Sequence, residues 1–343
     1  MLQTWSTMTL PLGKISKVLL ETVVFKNLGA KRKEVVLGPM AGFDAAVVDT
    51  DGKSVVVSTD PITGALERIG WLAVNINAND VATFGVEPAF FLSCMMLPEK
   101  ALNTMVGTIS VQMSDAAKAL GIAIVGGHCE ATPGLAKPVV VGCAIGITDK
   151  GKYVTAGGAK PGDKLILTKS AGTEGTAILA SDRKQQLKGA LGAKTLQSAA
   201  KFYDQISVVK DAMTAFKTGG VNAMHDPTEG GVAGGIHEMA DAAKLGVRIC
   251  EKRIPVRSET HQICRHFEIE PLQLISSGAL LISAKPECAD QIVRALRRES
   301  IQASVIGEFT KDSDERTLTG TNGEQRVLPR PLSDDLWRAL SRK

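Results

Sequence analysis

The apolar residues of the first half follow two periods, one typical of helices and one typical of strands. Runs with β-branched residues occupy 45–49 and 54–59, and Thr50-Asp51-Gly52-Lys53 between them predicts a hairpin turn. Elsewhere, apolar residues recur every three or four positions, as on one face of a helix. The pattern predicts helices over 14–28, 67–83 and 103–120, and further strands over 90–96, 122–125 and 139–148.

The second half follows a turn-rich break and repeats this mixture. Glycine and proline cluster over 157–163, so we place a boundary there between a domain of residues 1–156 and a domain of residues 157–343. Strands mixed with helices and hairpins predict an α+β fold of two domains. In this half the pattern predicts strands over 164–168, 280–283 and 304–309, helices over 173–217, 230–245 and 289–298, and a short helix around Leu336.

The composition predicts a soluble, cytoplasmic protein without a nucleic-acid or membrane partner. The 343 residues are 44% hydrophobic and 22% charged, and the net charge of +4 is too small to indicate either partner. Residues 1–11 are expected to be an extended leader and lack a signal-peptide pattern, and the longest apolar run, 138–147, is too short to cross a bilayer. Six cysteines without a C-x-x-C pair indicate reduced thiols.

Several acidic residues stand beside small residues at the ends of predicted strands or on a predicted helix. Mg²⁺ takes oxygen ligands from a few carboxylates together with substrate phosphates, and scattered acids of this kind suit it. Helix caps and turn residues are the alternative for any single aspartate, and the residues by themselves leave both interpretations open. These acids are Asp44, Asp60, Asp80 and Glu130.

The segment HDPTEGG over 225–231 places an acid before a glycine-rich helix start. Backbone N–H groups at such a start bind phosphate oxygens, and capping by Asp226 or Thr228 is the alternative. Two common nucleotide motifs are missing. Gly146 to Lys152 matches G-x-x-x-x-G-K but Tyr153 replaces the required Ser or Thr, and no G-x-G-x-x-G occurs. His237-Glu238 lacks the second histidine of a zinc helix.

Taken in order, these segments resemble the AIR synthase (PurM-like) superfamily from about Gly13 to Phe309. GPMAGFDAAVVD resembles its G-x-G-D-D-A-A-V segment, STDPI its strand ending in an acid, and LAVNINANDVATFGVEP its N-D-[LIV]-A-x-x-G-A-x-P helix. GGHCEATPG takes the place of GGDT or GGETAEMPG. HDPTEGGVAGGIHEMA is similar to HDPTRGGL of HypE, the hydrogenase-maturation branch of the superfamily, and ISSGALLIS and IGEF also resemble HypE segments.

The resemblance implies a fold and a ligand. The fold is two α+β domains, with the N-terminal domains forming a shared β-barrel in a homodimer and a C-terminal α/β sandwich domain. The ligand is ATP with Mg²⁺, bound in a cleft that both domains line. The implied metal ligands are Asp44, Asp60, Asp80 and Glu130, the other nucleotide-binding residues are Gly38, Gly42, Asn79, Gly126 and Gly127, and the catalytic residues are Asp80 and Asp226.

The implied function is a HypE-like, Mg-ATP-dependent phosphoryl transfer that activates an oxygen of an acceptor, either a small molecule or a protein. Three features depart from the family pattern. Phe43 replaces an acid of the first motif, His128 replaces the acid of GGDT or GGET, and the Pro-Arg-x-Cys end of HypE is replaced by Leu340-Ser341-Arg342-Lys343. The alternatives are a non-catalytic nucleotide-binding maturation factor, or an enzyme of the aminoimidazole ribonucleotide synthase or thiamine-monophosphate kinase type.

Overall fold

The computed structural model describes residues 16–342, which form two mixed β-sheets with helices around them. The N-terminal sheet consists of β1 (Val35–Leu37), β2 (Ala46–Thr50), β3 (Lys53–Ile62), β4 (Pro88–Pro98), β5 (Ala123–Thr132) and β6 (Val139–Asp149). Their order is β1-β2-β3-β6-β4-β5, with β4 and β5 parallel and the other neighbours antiparallel. Because β1 and β5 are both edges, residues 16–342 of one chain form an open sheet here and not a closed barrel.

The predicted hairpin is confirmed. β2 and β3 pair as far as Thr50 and Lys53, and Asp51 (φ 42°) and Gly52 (φ 79°) take the left-handed conformations of a two-residue turn. β3 continues past its predicted end through Asp60, where it pairs with β6. Strand β5 likewise continues beyond its predicted end, and includes the glycines and the acid that follow it.

The helices of this half are α1 (Lys17–Thr22), α2 (Ile69–Ala82) and α3 (Asn103–Leu120). The predictions for α2 and α3 are confirmed, whereas the described part of the predicted helix over 14–28, residues 16–28, contains only α1 and a 3₁₀ turn at Val24–Lys26. The predicted leader, 1–11, lies outside the described residues. Nearly all of α2 is buried, since it packs between the N-terminal sheet and helices of the second half. Its polar residues, Asp80 among them, are therefore carried into the interior.

The C-terminal sheet has the order β13-β12-β9-β11-β7-β10-β8. Its strands are β7 (Lys164–Thr168), β8 (Val221–His225), β9 (Gly246–Cys250), β10 (Leu281–Ala284), β11 (Ala303–Thr310), β12 (Arg316–Thr319) and β13 (Gln325–Val327). The three predicted strands are confirmed as β7, β10 and β11. The other four are additional, and β9 and β12 form the parallel pair of this sheet.

The predicted helical region over 173–217 divides into separate helices, and glycines at 189 and 192 interrupt it. The helices of this half are α4 (Thr173–Asp182), α5 (Lys184–Leu187), α6 (Ala193–Ala200), α7 (Val209–Thr218), α8 (Gly231–Ala243), α9 (Ser258–Phe267), α10 (Pro286–Arg298) and α11 (Asp335–Ser341). They include the predicted α8, α10 and α11, whereas α9 is additional. No helix within residues 16–342 is long and apolar enough to cross a membrane.

Alternation along the central strand explains the layers of the second half. Leu165 and Leu167 of β7 pack with Ile236 of α8, whereas Ile166 packs with residues of α7 and α10 on the opposite face. Helices α4, α6, α9 and α11 instead pack with α2 in one core that joins both halves. The boundary at 156/157 remains a prediction.

Candidate functional site

Acidic side chains from distant parts of the chain meet where the two halves join. Asp44 precedes β2, Asp60 lies in β3, Asp80 lies near the end of α2, and Asp226 directly follows β8. The charges of Asp60, Asp226 and Asp44 all act on Asp80. These four carboxyl groups form the acidic cluster.

His225, the last residue of β8, holds Asp44 in place. Its Nδ1 lies 2.7 Å from Asp44 Oδ1 and its Nε2 lies 2.9 Å from Glu238 Oε2, and the ring is only 2% exposed. Burial by itself lowers the pKa of His225, but the charges and hydrogen bonds of Asp44 and Glu238 raise it well above its usual value. The ring is therefore protonated at neutral pH and donates from both nitrogens.

Asp226 has a buried carboxylate in the acidic cluster. It is 1% exposed, and neither carboxylate oxygen has a hydrogen-bond partner among residues 16–342. Asp44, His225 and Asp226 each offer one atom that could ligate a metal ion, and these three atoms lie within 4.8 Å of one another. Burial and the charge of Asp44 raise the pKa of Asp226 well above its usual value, although the charge of His225 acts in the opposite direction.

Asp80 shares one short hydrogen bond with Ser58. Ser58 Oγ lies 2.5 Å from Asp80 Oδ2 and 2.9 Å from the main-chain oxygen of Asp44. A hydroxyl has one proton, so when Ser58 donates to the carbonyl of Asp44, the donor to Ser58 is a protonated Asp80. Burial and the charges of its acidic neighbours raise the pKa of Asp80 well above its usual value, which agrees with that arrangement.

Two asparagines of α2 fasten the site to the rest of the fold. Asn77 Oδ1 accepts from the main-chain N–H of Asp60 at 2.7 Å, and Asn77 Nδ2 donates to its carbonyl at 3.2 Å. Asn79, a predicted nucleotide ligand, donates to the carbonyl of Ile206 and accepts from the N–H of Val208. Both ends of its amide are thus engaged by the main chain, which gives Asn79 a role in joining the halves.

The predicted site residues on β5 are not brought to the acidic cluster. Asp60, Gly142, Ser93 and Gly127 stand in one row across β3, β6, β4 and β5. Neighbouring strands are about 4.8 Å apart, so Gly127 lies roughly 14 Å from Asp60 along the sheet. Glu130 lies three residues further along this exposed strand.

Glu130 makes only local contacts among the described residues. Its carboxylate accepts from Thr132 at 2.9 Å and lies 3.3 Å from Nε2 of His128. The hydrogen bonds of Thr132 and His128 lower the pKa of Glu130. Within one chain, Glu130 therefore cannot share a metal ion with the acidic cluster.

The predicted glycine loop lies against α8. Gly42 (φ 82°) has a left-handed conformation, and a Cβ there would lie 3.0 Å from the carbonyl oxygen of Glu238, so any other residue would be strained at this position. A Cβ at Gly38 would have ordinary contacts. Phe43 packs on Gly157, where a Cβ would lie 2.9 Å from the ring.

Two N–H groups at the helix start after Asp226 are engaged within the chain. Gly230 donates to Oδ2 of Asp334 at 2.7 Å, and Gly231 donates to the carbonyl of Thr228. The N-cap residue of α8 is Gly230, without a side-chain cap hydrogen bond, and not Asp226 or Thr228, the caps considered from sequence. These two N–H groups are not open to a phosphate.

Two family models match this chain over most of its length. The model described as AIR synthase related protein, N-terminal domain, matches residues 42–148, and the model of the corresponding C-terminal domain matches residues 160–319. The chain belongs to the AIR synthase related family. The first match begins two residues before Asp44 and includes Asp60 and Asp80, and the second includes Asp226.

Curated relatives of this AIR synthase related chain include HypE proteins. It is 26% identical to a putative hydrogenase expression/formation protein of Methanocaldococcus jannaschii, over 95% of this chain and 96% of that one. It is 29% identical to carbamoyl dehydratase HypE of Escherichia coli, over 87% of this chain and 88% of that one.

Solved structures share the two-domain, PurM-like α+β fold. HypE in complex with ATP is 23% identical, with a TM-score of 0.72 over 96% of this chain and 98% of that one. A chain of a HypE–HypF complex has a TM-score of 0.74 at 21% identity, over 91% of this chain and 99% of that one. The protein AaThiL, complexed with AMPPCP and TMP, has a TM-score of 0.70 at 18% identity, over 94% of this chain and 99% of that one. These likenesses concern the fold.

The acidic cluster fits a divalent cation. Asp226 offers two buried oxygens without a hydrogen-bond partner among residues 16–342, and Asp44 is held beside it by a protonated histidine. Hard cations such as Mg²⁺ prefer carboxylate oxygens. Since burial and mutual repulsion raise the pKa values of Asp80 and Asp226, a bound cation would favour the ionised forms of both.

Two acids near this AIR synthase related site were not singled out from the sequence for their chemistry. Glu238 belongs to the quoted HDPTEGGVAGGIHEMA segment, and only the fold shows that it pairs with His225. Glu174 is 4% exposed, and its Oε2 has no hydrogen-bond partner within residues 16–342. The signal in the sequence that could have pointed to Glu174 is its position in the first turn of α4, after Gly172.

Replacing Glu174 with glutamine is expected to stabilise the protein at pH 8 and to change little near pH 5. Burial, together with the charges of Asp334, Glu229 and Asp60, raises the pKa of Glu174 to about 7 from 4.5. A raised folded pKa means that ionisation destabilises the fold as the pH rises from about 4.5 to 7, by at most roughly 3 kcal/mol. Urea unfolding at both pH values measures the difference, with exposed Glu99→Gln as control. An equal effect of Glu174→Gln at both pH values would contradict the expectation.

Proposed function

We propose that this chain is a HypE-like, ATP-dependent protein that transfers a phosphoryl group from Mg-ATP to an oxygen of an acceptor, in the cytoplasm. The observation that carries the proposal is the buried Asp226 carboxylate, without a hydrogen-bond partner among residues 16–342 and surrounded by three further acids. The names of the relatives support it, since they include carbamoyl dehydratase HypE, HypE in complex with ATP, and AaThiL with AMPPCP and TMP.

In this proposal the acidic cluster holds Mg²⁺ through Asp44, Asp60, Asp80 and Asp226. The ion neutralises charge on the phosphates and aligns them, which is the main source of catalysis in phosphoryl transfer. His225 orients Asp44 and keeps it ionised, while Asn77 fixes the main chain of Asp60. Gly42 brings the preceding loop against α8, where it can cover the nucleotide.

The test is calorimetric titration of ATP with and without Mg²⁺, with phosphate release followed in the same samples. We expect binding that depends on Mg²⁺, and release that Asp80→Asn lowers at least about 100-fold. Asp115→Asn, on the exposed side of α3, is the matched control and should behave as wild type. ATP binding that is indifferent to Mg²⁺ and to Asp80→Asn would refute the proposed site.

A non-catalytic nucleotide-binding factor is the second candidate. The observation that favours it is Phe43, which packs on Gly157 at the position of a family acid and provides no ligand. This candidate predicts Mg²⁺-dependent binding without phosphate release, whatever acceptor is added. The same titration therefore separates the two functions.

We further propose that the chain forms a homodimer through β5, with the N-terminal sheets completing a shared barrel. β5 is an edge strand, and its residues Ala123 to Ala131 are exposed although Ile124 and Val125 are apolar. An edge of ten residues with exposed apolar side chains pairs readily with another strand. A partner strand would cover it.

Val125→Lys is expected to convert the dimer to a monomer. Val125 is 56% exposed on β5, and a lysine there puts like charges together across a two-fold interface. Light scattering after size exclusion measures the mass. Val111→Lys, at a 59% exposed valine on α3, is the control and should remain dimeric. A folded Val125→Lys variant of unchanged dimer mass would rule out this interface.

A further inference from the structure

The side chain of Asp334 joins the C-terminal segment, residues 328–342, to the start of α8. It is 2% exposed, and its Oδ2 accepts from the main-chain N–H of Gly230 at 2.7 Å. Its Oδ1 accepts from the N–H of Leu336, also at 2.7 Å, at the start of α11. One buried carboxyl group therefore holds the starts of two helices that are distant in the chain.

Both oxygens of Asp334 accept hydrogen bonds, which is the pattern of an ionised carboxylate. Burial raises the pKa of Asp334 to about 7 from 3.8, although the N–H groups of Leu336, Gly230 and Ile275 act in the opposite direction. The carboxyl group is therefore mainly ionised at pH 8. Since Gly230 is buried, loss of this acceptor would leave its N–H without the bond to Asp334, which favours a movement of the helix start.

Helix α8 contacts the residues on both sides of Asp226. Gly235 packs on Pro227, the residue after Asp226, and a Cβ at Gly235 would lie 2.8 Å from the Cβ of Pro227. Further along the helix, Oε2 of Glu238 lies 2.9 Å from Nε2 of His225, the residue before Asp226. A displacement of α8 therefore displaces the residues that surround the carboxylate of Asp226.

The C-terminal segment is itself anchored, so it can hold α8 in place. Leu336 is buried in the core that joins both halves. Oδ2 of Asp335 accepts from the main-chain N–H of Glu270 at 2.7 Å. Pro331 packs on Gly230, where a Cβ would lie 3.4 Å from the Cβ of the proline. These contacts fix the segment next to the start of α8.

We propose that Asp334 is a positioning residue of the acidic cluster, which fixes the start of α8 and, through this helix, the places of His225 and Asp226. It acts through its bond with Gly230. Asp334 lies outside both family matches, since the second of them ends at residue 319. The inference goes beyond the proposed function, and only its measurement by Mg²⁺ affinity rests on that function.

Asp334→Ala and Asp335→Ala are a matched pair of variants. Each removes an acid at the start of α11 that accepts from a main-chain N–H at 2.7 Å, but the N–H of Gly230 in α8 bonds to Asp334. In metal-free protein labelled with ¹⁵N-histidine, at pH 8, Asp334→Ala should shift the ring resonances of His225 and Asp335→Ala should leave them unchanged. Calorimetry should then show about tenfold weaker Mg²⁺ binding by Asp334→Ala, the effect of one hydrogen bond, and wild-type binding by Asp335→Ala.

A role of Asp334 confined to α11 predicts that both variants shift the resonances of His225 alike or that neither does, and either result would overturn the proposal. Wild-type Mg²⁺ affinity in Asp334→Ala would also overturn it. Asp334→Asn keeps one oxygen as an acceptor, so it should shift the resonances by less, and it replaces Asp334→Ala if that variant fails to fold. Absence of Mg²⁺ binding in wild type would refute the proposed function, and the metal-free spectra would still decide the role of Asp334.

Discussion

Asp226→Asn is expected to lower phosphate release at least about 100-fold and, at the same time, to make the metal-free protein harder to unfold. The carboxylate of Asp226 is buried without a hydrogen-bond partner among residues 16–342, beside three other acids. Removing its charge removes a desolvation penalty of about 1–3 kcal/mol or more. Phosphate release and urea unfolding in EDTA measure the two effects.

The same variant should respond differently to Mg²⁺ and to pH. Burial raises the folded pKa of Asp226 above its usual value, so metal-free wild type loses stability as the pH rises above about 4. Asp226→Asn has no carboxyl group to ionise at this position, so its stability should not show this contribution to the pH dependence. Added Mg²⁺ should stabilise wild type and leave Asp226→Asn nearly unchanged. Asp115→Asn is the control. Equal stabilisation of both proteins by Mg²⁺ would show that the ion binds elsewhere.

His225→Phe is expected to destabilise the protein by about 3–5 kcal/mol, the effect of removing one partner from a buried ion pair. The ring of His225 lies between Asp44 and Glu238, so phenylalanine leaves two carboxylates without their cation. Asp44 would also lose its orientation, and Mg²⁺ affinity should fall with it. Urea unfolding and Mg²⁺ titration measure these effects.

A second substitution tests the cause. Adding Glu238→Gln to His225→Phe removes one uncompensated charge, so the double variant should be more stable than His225→Phe alone. The folded pKa of His225 is raised, so its contribution is fully present below pH 6.5 and is lost as the pH rises through the folded value. The difference between wild type and His225→Phe should therefore shrink at high pH. A double variant less stable than the single one would contradict the ion-pair explanation.

Local patterns were sufficient where neighbouring residues decide the structure. The turn at Asp51-Gly52 needs two left-handed residues, and β-branched runs on either side identify its strands. α3 was predictable because it has one buried and one exposed face, and Gly121 in a left-handed conformation ends it. The ends of β3 and β5 were not predictable, since Pro61 and Gly126-Gly127 normally interrupt strands and only pairing with β6 and β4 continues them.

The acids of the site were recognisable from the sequence, but their arrangement was not. Asp44, Asp60, Asp80 and Asp226 were all named from motifs, since acids beside small residues and the family resemblance pointed to them. Glu130 was named on the same grounds, yet β6 and β4 lie between its strand and β3, and this separates it from Asp60. A motif identifies the type of a side chain but not its distance from another.

By itself, the sequence determined the α+β class and the family, and it named the four acids of the acidic cluster, because these depend on composition, periodicity and local motifs. Only the tertiary structure decided how those residues are charged. His225 is protonated because Glu238 and Asp44 lie on its two sides, and the pKa of Asp226 is raised because its carboxylate is buried beside Asp44. Charge states depend on burial and on neighbours distant in the chain, and these exist only once the two halves have packed together.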